Sequence, residues 1–193
     1  MTCPFEAVAA HLPPTGRILE VGCGHGLFSV LAATEAPERE VVGTDVDGDK
    51  IRAASAVADQ AQGFEGRLRF APSRPGEVPA GPWNAIAVVD VLYLIDAEGE
   101  ERLVRDLAEQ LAAGGVLLIK EMAQRPTWKF AIARLQERVA VQVLGITEGD
   151  QLTFVEPKEI GRWMSEAGLD VEHHRVDRGY PHPHHLILGR KAP

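Results

Sequence analysis

Residues 18–31 read ILEVGCGHGLFSVL: an apolar run, three glycines on alternate positions, then a second apolar run. A strand that ends in glycines and restarts as a helix leaves bare backbone at the join. In an open α/β sheet that join lies at the carboxyl ends of the strands, where ligands bind. The rest of the chain repeats the alternation. RILEV, EVVGTD, RLRFA, NAIAVVD and GVLLIKE are short, rich in Val, Ile and Leu, and bounded by glycine, proline or charge, as buried parallel strands are. Between them GLFSVLAATEA, DKIRAASAVADQAQ and EGEERLVRDLAEQLAA have helical spacing. This order predicts right-handed crossovers and a doubly wound, mostly parallel α/β sheet. Gly114 and Gly115 are expected to cap the helix that precedes the fifth strand.

The pattern changes after Glu121. Residues 125–146 read as an amphipathic helix with Trp128, Ile132, Leu135, Val139 and Val143 near a common face. A further helix starts at Pro157 and stops at Gly168. Residues 170–191 read as two strands joined by a turn, an antiparallel hairpin at the C-terminal edge of the sheet. Residues 71–82 carry four prolines and read as a loop.

Composition narrows the partners. The 193 residues make one domain, and 28 acidic against 20 basic side chains give a net charge of −8, which repels a phosphate backbone on average. Arg125, Lys129, Arg134 and Arg138 read as a solvated helix face rather than a nucleic-acid patch. Cys3 is placed near a mobile start and Cys23 inside the glycine loop, so no structural disulfide is expected and the setting is read as reduced and cytoplasmic. No apolar stretch reaches the length of a membrane span, and no membrane partner or leader is expected.

The loop itself discriminates among ligands. A dinucleotide fold wants Gly-x-Gly-x-x-Gly, but here the third glycine comes one residue early, at Gly26, and Leu27 follows. No Gly-Lys-Ser/Thr follows either, which excludes a phosphate-cradling P-loop. Glu20, ending the first strand, would repel a pyrophosphate and suits an ammonium and a sulfonium. Asp45, ending the second strand, is placed to accept two hydrogen bonds from a ribose diol. These fit an adenosine whose tail is a zwitterionic amino acid on a sulfonium.

Glu20-Val21-Gly22-Cys23-Gly24-His25-Gly26, with Asp45 after it, resembles the cofactor signature of the class I S-adenosylmethionine-dependent methyltransferases. NAIAVVDVLYLI and LAEQLAAGGVLLIKE resemble the fourth-strand and fifth-strand motifs of that family, in register, over roughly residues 5–121. The resemblance implies a Rossmann-like sheet of seven strands and S-adenosylmethionine as methyl donor, with S-adenosylhomocysteine as product. It further implies that Glu20, Gly22 and Gly24 contact the methionine moiety, with Cys23 and Gly26 completing the loop. Asp45 would hold the ribose, Val46 pack on adenine, and Asp90 face the methionine amino group or the acceptor, with Val91 beside it. Where the family usually carries an acidic residue past the third strand, this chain offers Ser73. The single domain of 1–193 then divides into a cofactor-binding part (5–121), a helical cover for the acceptor site (122–157) and a closing helix and hairpin (158–193).

Methyl transfer from a sulfonium is an in-line displacement with a neutral leaving group, so positioning and water exclusion supply much of the catalysis. Tyr93, just past the fourth strand, is a candidate catalytic residue and equally a packed aromatic. Lys120 to Met122 end the fifth strand, where Glu121 is read as a solvated strand end or an acceptor contact. Five histidines fall between His173 and His185; they read first as a structural turn, with His182, and beside it His184 or His185, as the candidate base or acceptor contact, and no metal site is expected. His25 is expected only to flank the cofactor. Met122, Trp128, Phe130 and Phe154 are expected to pack on the sheet or line an apolar cavity, which favours a small, partly apolar acceptor methylated on oxygen or nitrogen rather than carbon. A protein or RNA methyltransferase remains an alternative, as does a non-catalytic S-adenosylmethionine-binding module. An aminopropyltransferase and an NAD-dependent oxidoreductase fit the residues less well.

Overall fold

In the computed structural model, which describes residues 3–122, 155–180 and 182–193, the alternation becomes one sheet with helices on both faces. Its strands are β1 (Gly16–Val21), β2 (Arg39–Asp45), β3 (Leu68–Pro72), β4 (Trp83–Val89), β5 (Leu111–Met122), β6 (Asp170–Arg175) and β7 (His184–Arg190). The helices are α1 (Phe5–Ala9), α2 (Leu27–Glu35), α3 (Gly48–Gln60), α4 (Ala97–Glu109) and α5 (Pro157–Glu166). The spatial order is β3-β2-β1-β4-β5-β7-β6; β7 runs antiparallel to both neighbours, and the other pairings are parallel. This is the expected doubly wound, seven-stranded architecture with its reversed edge hairpin. Strand order switches direction between β1 and β4, and the crevice beyond their carboxyl ends is where such a sheet receives ligands.

Period-two alternation sends side chains to two cores. Ile18, Ala85, Ala87, Leu118, Leu186 and Leu188 pack with Val8 of α1 and Phe28 of α2 on one face. Leu19, Ile86, Leu117, Ile119 and Ile187 pack with Leu103 and Leu107 of α4 and Ile160 and Met164 of α5 on the other. Each fully buried Leu or Ile contributes roughly 1.5–3 kcal/mol, so these two layers carry the stability. The same alternation puts three charged residues inside: Glu20 follows Ile18 onto the α2 face, Lys120 follows Leu118 there, and Glu121 points to the opposite face.

Local signals set the helix ends. The Asp47 carboxylate accepts the N–H groups of Asp49 and Lys50 at the start of α3, and Asp96 accepts from Gly99 in α4. Pro157 opens α5, and Gly168, at φ 84°, follows its end, as expected. The glycine pair at 114 and 115 is a correction. Helix α4 ends at Glu109 without a glycine cap, and the pair lies inside β5, where the register against β4 shifts between Trp83 and Ala85. Lys191 supplies the physical reason. Its ammonium donates to the carbonyls of Ala108 and Glu109 at 3.2 Å, terminal acceptors of α4, and to that of Leu111 at 2.9 Å at the start of β5. The helix expected over 125–146 and the Trp128, Phe130 and Phe154 side chains of the expected cover lie outside the described residues.

Candidate active site

The glycine loop is folded back on β2. Thr44 carbonyl oxygen accepts from Gly22 N–H at 2.7 Å and Cys23 N–H at 2.9 Å, and Gly26 N–H donates to Cys23 carbonyl at 2.8 Å. Gly22, Gly24 and Gly26 all hold positive φ, but for different surroundings. A Cβ at Gly22 would meet Val91 at 2.4 Å and one at Gly26 would meet Phe70 at 2.4 Å, whereas Gly24 has no atom within 4 Å. Gly22 and Gly26 are therefore packing glycines, and Gly24 faces open space on the ligand side. Gly26 caps α2 without any side-chain bond to its first N–H groups.

Two carboxylates flank the loop. Asp45 Oδ2 accepts from Gly24 N–H at 2.7 Å and Oδ1 from Asp47 N–H at 2.9 Å, which leaves lone pairs on each oxygen for a diol. Glu20 lies buried under α2, where the Ser29 hydroxyl donates to it at 2.5 Å. Burial pushes its carboxyl up to about 8, against the Ser29 hydrogen bond, and the Asp45 charge adds to the rise. Cys23, buried beside both carboxylates, has its thiol pushed up chiefly by desolvation.

A cavity of about 730 Å³ runs from this loop across the strand tips. Gly22, Gly24, Asp45, Val46, Ser73, Asp90, Val91 and Tyr93 all line it, so the sequence-expected residues gather in one place. Ser73 is held there by its N–H to Asp45 carbonyl at 2.9 Å, and Val46 stands exposed at the mouth. A smaller cavity of about 220 Å³ carries Glu20, Cys23 and Phe5, and it shares Gly22, Gly24 and Asp90 with the larger one. The two spaces thus meet at the loop, one lined by the Asp45 carboxylate and one by that of Glu20.

Asp90 departs from the expectation in its partners. Lys120, fully buried, reaches its two oxygens at 2.6 and 2.5 Å, and Cys3 Sγ donates to Oδ2 at 3.6 Å. Cys3 is therefore anchored rather than mobile, and burial pushes its thiol up to about 12. Glu121 corrects a second expectation. It is buried rather than solvated, and its Oε1 accepts from Val91 N–H at 2.9 Å and Leu92 N–H at 2.8 Å. His182 lines neither cavity; it is buried near Lys120 and Asp90, with its ring 5.7 Å from that of His184. His25 lines the smaller cavity. His173 and His185 share a hydrogen bond at 2.7 Å on the edge hairpin, and among the described residues no cluster suits a metal ion. Sequence reasoning missed the buried Lys120, whose signal was its place two residues after Leu118 in an alternating strand.

Residues 4–174 match the methyltransferase domain family, most of the chain. The chain belongs to that family. Its methyl donor is S-adenosylmethionine, and the residues fit: an open glycine at 24 with a carboxylate on either side. Among the methyltransferase's relatives, the ubiquinone biosynthesis O-methyltransferase of Xanthomonas axonopodis pv. citri (strain 306) is 26% identical over 169 residues, covering 87% of this chain and 69% of that protein. The magnesium protoporphyrin IX methyltransferase from Synechocystis PCC 6803, solved with bound S-adenosylhomocysteine, shares the fold at TM-score 0.74 and 15% identity, over 97% of this chain and 82% of that one. An O-methyltransferase family protein from Burkholderia thailandensis superposes at TM-score 0.73 with 18% identity, over 97% of this chain and 55% of the longer protein.

Proposed function

We propose that this methyltransferase transfers a methyl group to the oxygen, or secondarily the nitrogen, of a small and partly apolar acceptor. The observation that carries the reading is the meeting of the two cavities at Gly22, Gly24 and Asp90, beside Tyr93 and Leu94. Bound there, S-adenosylmethionine supplies an electrophilic methyl group on a sulfonium. The chain's residues do the rest by position. Asp45 holds the ribose and Val46 covers the adenine, with Ser73 at its edge. Glu20 and the Gly22–Gly24 backbone hold the amino-acid tail. Tyr93, half-buried in the cavity wall, contacts the acceptor. Cys23, Gly26 and Val91 shape the loop rather than react. His182 has no part in this proposal, because it lines neither cavity.

The acceptor is a hydroxyl compound by analogy with the named O-methyltransferase relative, and the rim of Tyr93, Leu94 and Ile95 suits an apolar ring or chain. Among the described residues no helix is long and apolar enough to cross a membrane, and both cysteines are free thiols, which supports a cytoplasmic setting. The test is methyl-labelled S-adenosylmethionine offered with a panel of small phenols, alcohols and amines. Label on a hydroxyl compound, lost in Asp45→Ala, supports the proposal. Label that passes only to added protein or RNA overturns it.

A further inference from the structure

Asp90 is the one non-glycine among the described residues with a left-handed backbone, at φ 56°. An L-residue with a side chain rarely holds that conformation unless its surroundings impose it, and aspartate is among the few that tolerate it. The surroundings here come from two consecutive residues of β5. Lys120 carbonyl accepts Asp90 N–H at 2.9 Å, and Lys120 Nζ holds both Asp90 carboxylate oxygens. Glu121, facing the other side of the sheet, accepts Val91 and Leu92 N–H through one oxygen. The two side chains thus grip three successive residues of the β4 tip from opposite faces. Both gripping groups are buried, Lys120 at 0% and Glu121 at 3% exposure.

An ion pair with a fully buried ammonium is a weak stabiliser, because desolvating that charge offsets much of its attraction to the part-exposed Asp90 carboxylate. A buried carboxylate is no better placed for stability alone. Strain held by a costly polar arrangement points to position as its purpose. The gripped tip is the wall where the two cavities meet, and the turn at Leu92–Leu94 that follows carries Tyr93.

We propose that Lys120 and Glu121 are positioning residues that clamp the β4 tip, so that Asp90 and Tyr93 are presented to the acceptor in a fixed geometry. The clamp acts through those residues and does not itself touch the acceptor. This rests on the reading of the acceptor site above, but its test does not require the acceptor.

The chain has two tyrosines, so fluorotyrosine labelling gives two fluorine signals, and Tyr93→Phe assigns them. Amide exchange over residues 90–94 and the Tyr93 signal are followed in the free protein and with S-adenosylhomocysteine. In Glu121→Leu, exchange at Val91 and Leu92 becomes about tenfold faster or more, the consequence of losing two hydrogen bonds, and the Tyr93 signal broadens. Glu121→Gln keeps an oxygen for both donors and restores slow exchange and a narrow signal. Lys120→Met cuts the grip on Asp90 alone and gives an independent test should the leucine variant fail to fold; it too broadens the Tyr93 signal. Wild-type exchange and line width in Glu121→Leu, or a wild-type Tyr93 line width in Lys120→Met, overturn the clamp, as does a glutamine variant that behaves like leucine. Failure of the wild type to bind S-adenosylhomocysteine would instead strike the site reading, with the exchange in the free protein still deciding the clamp.

Discussion

Gly24 N–H donates to the Asp45 carboxylate across 2.7 Å, joining the loop after β1 to the tip of β2. One aspartate therefore both shapes the loop and faces the cavity. A charge-assisted hydrogen bond is worth about 1.5–3 kcal/mol, so Asp45→Ala weakens S-adenosylmethionine binding by at least about tenfold. Asp45→Asn keeps an acceptor for one partner and falls between. Calorimetric titration checks the order; equal affinities across the three proteins would remove Asp45 from the site.

Glu20 makes binding proton-linked. With its carboxyl pushed up to about 8, the free protein holds it largely protonated at neutral pH. An ammonium and a sulfonium favour the carboxylate, so binding expels a proton and affinity rises with pH until the group is already ionised. Titrations in buffers of different ionisation enthalpy measure this release, expected at close to about one proton near pH 6–7. Glu20→Gln abolishes it. No buffer dependence in the wild type would refute the assignment.

The stability of the free protein bears the same signature. Glu20 rises from 4.5 unfolded to about 8 folded, so between those values the native state holds a proton that the unfolded chain has lost. Its contribution is complete below 4.5 and disappears as pH rises through about 8. Glu121, also pushed up to about 8 by burial and the Asp90 charge, behaves likewise. Thermal melts from roughly pH 6.5 to 8.5 should show a falling midpoint, and Glu20→Gln should flatten that slope. An identical slope in the variant would count against a buried, protonated Glu20.

The three loop glycines separate binding from folding. Gly22→Ala and Gly26→Ala drive a methyl into Val91 and Phe70 and lower the melting temperature. Gly24→Ala meets no protein atom, so its stability cost is limited to the left-handed backbone, roughly 1–2 kcal/mol. Its methyl instead enters the ligand space, and S-adenosylhomocysteine binding is lost. Normal binding by Gly24→Ala would place the cofactor elsewhere.

Much of this was legible beforehand because it is local. Strand and helix alternate visibly; Pro157 and Gly168 mark the ends of α5; and the run from Glu20 to Gly26, with Asp45, carries its own chemistry by spacing. All the expected cofactor residues but Gly26, which packs against Phe70, line one or both of the two cavities, because each lies at or just past the carboxyl end of a strand and parallel topology brings those ends together. The misreadings share a cause. Gly114 and Gly115 read as a helix cap because nothing near them in the chain announces Lys191, which serves the α4 carbonyls from far along the sequence. Cys3 reads as mobile because nothing in its sequence neighbours announces Asp90, to which its thiol donates.

The order of elements, the two-faced burial and the identity of the ligand-facing loop follow from periodicity and residue chemistry along the chain. Tertiary structure alone decided the partners of the buried charges. Lys120 and Glu121 are adjacent in sequence and read as a strand end, yet one holds Asp90 and the other the Val91 and Leu92 amides, on opposite faces of the sheet. A buried charge takes its meaning from whichever group desolvation leaves within reach, and that group is supplied by a strand some thirty residues away.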